Sequence, residues 1–364
     1  MQKLEAAKAE LNLSFAAIAK QAGVSADTVS RLFHPEQNKP VSETSLTAIA
    51  QVLSVTPEDI IFAEDDQCHE GFMEAQRRIQ ESIENQETEL DLSDLGLTSL
   101  PKELGQLQNL TFLSLSDNQL TALPKELGRL QNLTSLSLYR AHLTSVPKEL
   151  GQLNKLTFLD LSQNQLISVP KELGQLNQLT ELYLNHNQLT SVPKEVGKLN
   201  QLVRFNLSLN QLISPPQELG QLNQLILLDL SENQLTSIPK ELGQLNQLRL
   251  LYLNQNQLIS VPKELGQLNK LTSLSLSENK LTSIPKELGQ LSKLTSLYLT
   301  NNQLTSIPKE LGQLNQLTSL SLSQNQLSSL PQELGQLNQL KKLYLDGNQL
   351  TSLPQALERF NKLP

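Results

Sequence analysis

From residue 88 onward, apolar and polar positions follow one repeating pattern. Leu113 and Leu115 alternate with Phe112, Ser114 and Ser116, the period of a half-buried strand. The same alternation recurs every 23 residues. Its centres are Leu90, Leu113, Leu136, Leu159, Leu182, Phe205, Leu228, Leu251, Leu274, Leu297, Leu320 and Leu343. Each centre predicts a short strand. Proline keeps the same interval from Pro101 to Pro354, glycine from Gly105 to Gly335, and asparagine recurs from Asn118 to Asn348. Three registered ladders of this kind define a repeat architecture before any single element is considered.

Within a unit, the residue types suggest a path for the chain. Asn118 follows the strand, where its amide can satisfy backbone groups of neighbouring turns. Pro124 suits the first position of a short outer helical turn, and Glu126 suits that turn's positive end. Gly128 is expected to end it. Leucines of one unit are buried only by the next, so stability comes from neighbours. Twelve strands at about 4.8 Å predict an inner sheet on the order of 50 Å long.

Leu110 to Asn132 reads LxxLxLxxNxL followed by xxLPxxLGxLxx. This resembles the leucine-rich repeat over residues 88–364. The resemblance implies an α/β solenoid with a parallel inner sheet and short outer helical turns. Phe72, Ile79 and Ile83 fall at helical spacing in residues 70–84, so residues 63–87 are read as a linker and a capping helix over the first strand. With the phrase Glu89 to Pro101, this lead-in resembles that of bacterial, especially cyanobacterial, leucine-rich-repeat proteins. At the far end Ala356 and Glu358 replace the repeat glutamate and glycine, so the last outer turn can run on as helix through Phe360.

Residues 1–62 lack the repeat. Ala16, Ala19, Ala22-Gly23 and Val24 fit a helix and a tight glycine turn. A second helix capped by Ser25 follows, with Val29 and Leu32 facing the core. Ser42 or Ser45 can start a third helix carrying Leu46, Ile49, Ala50 and Leu53, and Thr56-Pro57-Glu58-Asp59 a last short one. This resembles a Cro/C1 (lambda-repressor-like) helix-turn-helix domain, all-α in fold. The resemblance implies a recognition helix over 25–33, with Ala26, Asp27, Thr28, Ser30 and Arg31 facing the major groove. His34, Asn38 and Lys39 could reach phosphates. Two features depart from the pattern. The position where such repressors usually carry glutamine is Phe15, and Asp27 would repel phosphate. Residues 1–62 also carry seven acidic against five basic side chains, poor for neutralising DNA.

Exposed strand positions vary while the scaffold does not. Tyr183, Arg204, Leu209, Leu227, Leu250 and Tyr252 fall within about four strands. Such aromatic, arginine and leucine side chains are the types that anchor interfaces. The same stretch breaks pattern with Phe205 and with Pro215-Pro216. Phe112, Tyr139 and Phe158 form a second candidate patch on the concave side. The bland reading is a solvated sheet of small polar residues. The Lys-Glu pairs after each proline read as a solvated outer face, and the glutamine after each ladder asparagine as surface filler. His142 and His186 read as exposed polar residues. Ala141 interrupts the asparagine ladder, by drift or by a local kink.

Composition narrows the function. The chain has 364 residues, 29 basic and 37 acidic side chains, and net charge −8. That charge argues against general attraction to nucleic acid or anionic lipid. Cys68 is the single cysteine, so no internal disulfide can form, and Cys68-His69 has no second half of a zinc site. No leader sequence or membrane span is expected, and a cytoplasmic location is. No GxxxxGK[ST], Gly-x-Ser-x-Gly or HExxH is present. Cyanobacterial relatives can carry a GTPase domain after the repeats, but none is expected here, since the sequence stops at Pro364. Neither enzymatic activity nor a cofactor or metal is expected. Two functions stay open. One is a non-enzymatic protein-interaction scaffold or sensor in signal transduction. The other is a DNA-binding regulator acting through residues 1–62.

Overall fold

The computed structural model describes residues 14–26, 28–29, 43–54 and 66–360. It divides into two compact units, residues 1–78 with 95–101, and residues 79–94 with 102–364.

In the first unit, helix α1 (Phe15–Ala22) starts at Ser14, whose Oγ accepts from the Ala17 N–H at 3.2 Å. It stops at Gly23, left-handed with φ 67°, a backbone state that costs glycine little. Ser25 then caps the next turn, its Oγ accepting from the Thr28 N–H at 3.0 Å. Helix α2 (Glu43–Leu53) packs against α1. Ile18, Ala19, Val29, Ile49, Ala50 and Leu53 form the buried core. The first helix, the glycine turn and the Ser25 cap are as expected, while residues 30–33 of the second helix lie outside the described residues. Ala16 is exposed, however, because the buried stripe runs through Ile18 and Ala19. Leu32 and the segment Thr56 to Asp59 lie outside the described residues.

Helix α3 (Asp66–Asn85) begins four residues earlier than residues 70–84 suggested. Its buried positions are Gly71, Ala75, Ile79 and Ser82, while Phe72 and Ile83 are half-buried. A Cβ at Gly71 would strike the Leu95 carbonyl oxygen, so glycine lets two backbone segments touch. Glu74 sits between Arg77 and Arg78, 2.7 Å from each. Hydrogen bonds from Arg77 and then Arg78 hold its carboxyl down at a pKa of about 2.

The second unit is a solenoid around one parallel sheet of twelve strands in sequential order. They are β1 (Glu89–Asp91), β2 (Phe112–Ser114), β3 (Ser135–Ser137), β4 (Phe158–Asp160), β5 (Glu181–Tyr183) and β6 (Arg204–Asn206). Then come β7 (Leu227–Asp229), β8 (Leu250–Tyr252), β9 (Ser273–Ser275), β10 (Ser296–Tyr298), β11 (Ser319–Ser321) and β12 (Lys342–Tyr344). All twelve predicted centres are strand centres, and each pairs with the residue 23 positions away, as in Leu90 with Leu113. The leucines point inward; most are fully buried, and Phe205 is the largest fully buried side chain.

Asparagine ties the repeats together as expected. Asn164 Nδ2 donates to the carbonyls of Leu138 at 2.8 Å and Leu161 at 3.0 Å, and its Oδ1 accepts the Leu143 N–H at 2.9 Å. A second ladder was not foreseen. The hydroxyl before each strand donates to the preceding repeat, as Thr134 Oγ1 does to the Thr111 carbonyl at 2.9 Å. Val203, Ile226 and Arg249 interrupt it in the middle repeats, and Lys341 ends it before β12.

Two expectations need correction. Each outer turn is a five-residue 3-10 helix, and its proline is the extended residue before it. Pro124 (ψ 143°) precedes the turn Lys125–Arg129, and its carbonyl accepts the Leu127 N–H at 3.1 Å. Gly128 does not end the turn; it lies inside it. A Cβ there would meet the Glu149 carbonyl oxygen at 2.5 Å. The glycine column exists because consecutive turns stack backbone on backbone. The last turn, Gln355–Phe360, is one residue longer and reaches Phe360 as anticipated, again as a 3-10 helix. Arg359 lies 4.9 Å from the Phe360 ring centroid.

The ladder gap at Ala141 coincides with a kink. Repeats that carry the ladder asparagine have one left-handed residue, just before it, whereas here Arg140 and His142 both are, at φ 50° and 62°, as Asp94 and Gly96 are around Leu95 in the first repeat. The Ala141 N–H turns to Asn164 Oδ1 at 3.1 Å. Pro215 takes the buried position that valine or isoleucine fills in neighbouring repeats.

Among the described residues, no helix is long and apolar enough to cross a membrane. Nor do three or more His, Cys, Asp or Glu side chains gather as metal ligands there.

Candidate functional site

Residues at the first and third positions of each strand point to the same face, because the strand period is two. Register then sets them in two columns. Arg204, Leu227 and Leu250 are neighbours in the first, and Tyr183, Asn206, Asp229 and Tyr252 in the second. Arg204 is exposed; Tyr183, Leu227, Leu250 and Tyr252 are half-buried. Five of the six central candidates thus form one continuous surface over β5 to β8. Leu209, the sixth, lies beyond β6 and is left-handed with φ 54° and 38% exposed. A bulky residue held there is backbone strain of about 1–2 kcal/mol with its side chain kept in solvent.

The second candidate patch is joined to the first. Phe158 on β4 lies 5.7 Å, centroid to centroid, from Tyr183 on β5, the rings tilted by 48°, a separation within the range of aromatic pairs. Tyr139 is half-buried, with the Arg140 guanidinium 5.9 Å from its ring centroid, and Arg140 pairs with Asp117 at 3.1 Å. Phe112 stands apart, two strands before Phe158 with Ser135 between them.

Glu181 links the central side chains. It accepts from the Tyr183 hydroxyl at 2.6 Å through Oε2 and from Arg204 Nη1 at 2.9 Å through Oε1. Burial first, and the Glu181 carboxylate second, push the Tyr183 phenol up to about 12. Asp229 is the other residue sequence reasoning passed over. Its Oδ1 accepts from the Ser231 N–H at 2.9 Å and the Ser231 hydroxyl at 2.6 Å. Burial still raises its pKa, and its charge adds to the upward shift that burial gives the Tyr252 phenol. The Asp-x-Ser spacing was the available signal, since a carboxylate two residues before serine favours this closed turn.

A depression of about 230 Å³ on the outer turns is lined by Lys171, Glu172, Gly174, Gln175, Glu195 and Lys198, an open edge of solvated charges.

In the helical unit, Ala26 is exposed and Thr28 half-buried. The other proposed DNA contacts, Asp27, Ser30, Arg31, His34, Asn38 and Lys39, lie outside the described residues.

The chain belongs to the leucine-rich-repeat proteins. Family models for the leucine-rich repeat match residues 108–166, 131–189 and 292–350, and a two-copy model matches 269–312. Residues 3–66 match the model of the Cro/C1-type helix-turn-helix DNA-binding domain. Among solved structures, the chain is similar to a leucine-rich-repeat protein of Leptospira interrogans. The two are 45% identical with a TM-score of 0.64, over 74% of each chain. It is also similar to a plant peptide-hormone receptor, RGFR1, solved in complex with RGF2. That likeness is 31% identical with a TM-score of 0.60, covering 76% of this chain and about half, 52%, of the receptor chain. An internalin of Listeria monocytogenes shares the fold at 24% identity and TM-score 0.58, covering 78% of this chain and 87% of the internalin. A comparison with curated proteins finds no match.

Proposed function

We propose that the chain is a non-enzymatic scaffold or sensor that holds a protein partner on the concave face of its repeat array. In this reading residues 1–62 form the helix-turn-helix domain and residues 63–87 a linker and capping helix. Residues 88–364 are the recognition domain of a cytoplasmic protein, of the cyanobacterial type suggested by its lead-in. The supporting observation is the surface from Phe158 through Tyr183 and Arg204 to Leu227, Leu250 and Tyr252. It combines aromatic, arginine and aliphatic groups on adjacent strands, with Leu209 exposed beside it. The plant receptor structure that contains a bound ligand lends the reading support by analogy. The test is capture from the native host with the full chain and its Leu227→Asp/Tyr252→Ala variant. Loss of capture with unchanged melting supports the patch, and retained capture removes it.

A second reading is a DNA-binding regulator, favoured by the helix-turn-helix match over residues 3–66. Mobility shifts of genomic fragments decide it. Selective binding that weakens with salt and is lost in Arg31→Ala supports it. No binding at low salt removes it.

A further inference from the structure

Among the described residues, the three most exposed large apolar side chains are Ile259, Ile167 and Ile213, at 62, 60 and 57%. All occupy the third position after the ladder asparagine, and they fall on alternate repeats. The repeats before and between them carry exposed threonine there, at Thr144, Thr190 and Thr236. Six consecutive rows therefore read Thr, Ile, Thr, Ile, Thr, Ile, and no isoleucine occupies this position in any other repeat. The flanking columns are exposed glutamine (Gln165 to Gln257, with His142 in the first row) and serine (Ser145 to Ser260). The strip thus holds no Asp, Glu, Lys or Arg, on a chain whose net charge is −8.

We infer that this strip is a self-association surface whose occupant is a second copy of the chain. Rows lie about 4.8 Å apart, so the isoleucines form knobs at about 10 Å intervals along roughly 30 Å. A partner must offer gaps at the same interval and no net charge. The strip itself has both properties. A twofold axis between Thr190 and Ile213 runs the two strips antiparallel. It sets Ile213 against Thr190 of the second copy, Ile167 against its Thr236, and Ile259 against its Thr144. Every large residue then meets a small one, the condition for interdigitated packing, and each contact occurs twice as an isologous interface requires. Two acidic chains repel at long range, but that repulsion is screened beyond about 8 Å at physiological salt, and the facing rows add no like charge. A strip roughly 30 Å by 12 Å buries about 700 Å² in total. That is below the ~1,200 Å² of stable interfaces, so the dimer is weak and transient.

Sedimentation equilibrium of the full chain over a wide range of protein concentration tests this. A monomer–dimer equilibrium is expected, strengthened by added salt. Ile213→Asp should weaken it at least tenfold without lowering the melting temperature, because that side chain stands in solvent. Register is tested by oxidative cross-linking in a Cys68→Ser background. A mixture of the single variants Ile167→Cys and Thr236→Cys should give covalent dimers, and a mixture of Thr144→Cys and Ile167→Cys should not. A chain monomeric at the top concentration, a dimer indifferent to Ile213→Asp, or cross-linking by the second mixture alone overturns the inference.

Discussion

The Tyr183 hydroxyl donates to Glu181 at 2.6 Å along a single strand. The other oxygen of that carboxylate takes Arg204 from the next strand. Tyr183 should therefore be the late-titrating phenol of the array. Its folded pKa of about 12 lies above the ordinary 10. The stability it contributes is full below pH 10 and is lost as pH rises through 12. Ultraviolet titration should show a late phenolate that disappears in Tyr183→Phe. Glu181→Gln should lower its midpoint only in part, since burial is the larger cause.

Asp229→Asn should stabilise the fold. Asn206 already fills the equivalent place on β6, accepting from the Ser208 N–H at 3.0 Å and the Ser208 hydroxyl at 2.8 Å. The amide keeps both bonds without a half-buried charge. Because burial raises the Asp229 pKa, its ionised form works against folding above the unfolded carboxyl value. The gain in melting temperature should be present at pH 7 and vanish near pH 3. An equal gain at both would contradict the account.

Ala141→Asn should restore the ladder. In most repeats an Asn Oδ1 accepts the amide of the leucine two residues past the preceding ladder position, as Asn187 does from Leu166 at 2.9 Å. The matching amide is Leu120, in a fully buried residue. Supplying its acceptor should add about 1 kcal/mol in urea unfolding. The His142 backbone should also leave the left-handed region, which NMR chemical shifts would report. Asn210→Ala is the converse. It strips partners from the Leu184 and Leu207 carbonyls and the Leu189 N–H, and should cost about 3 kcal/mol.

Gly151→Ala should cost more than an ordinary glycine substitution in a turn. A Cβ at Gly151 falls against the Glu172 carbonyl carbon at 2.7 Å and Cβ at 2.9 Å, so two turns must separate. A loss of about 2–3 kcal/mol is expected, the upper end of overpacking costs. Gly347→Ala meets only the Gln324 side chain at a left-handed φ of 70° and should lose about 1–2 kcal/mol.

Strand positions, inward leucines and the asparagine ladder were readable from sequence because each follows from one period. The purpose of Gly128 was not. A glycine that caps a turn and one that admits a neighbouring backbone look alike until the next turn is in place. The same holds for Ala141, whose effect lies in the backbone torsions of the residues on either side of it. At the candidate site the columns were readable, since register fixes them. Glu181 as the group binding Tyr183 and Arg204 was not, because that depends on how three long side chains lie. The proposed DNA contacts were named from a motif resemblance, and all of them but Ala26 and Thr28, Arg31 included, lie outside the described residues.

Nearly every tie across a repeat boundary is the same tie. Asn233 reaches Leu207 as Asn210 reaches Leu184, and Gly174 meets Glu195 as Gly151 meets Glu172. Removing or duplicating any stretch of 23 residues in the regular region would rejoin identical halves, leaving no donor or acceptor stranded. One residue more or fewer would misalign every ladder at once. Array length is therefore a quantity that recombination can change in whole steps, lengthening or shortening the surface without the protein having to solve its fold again.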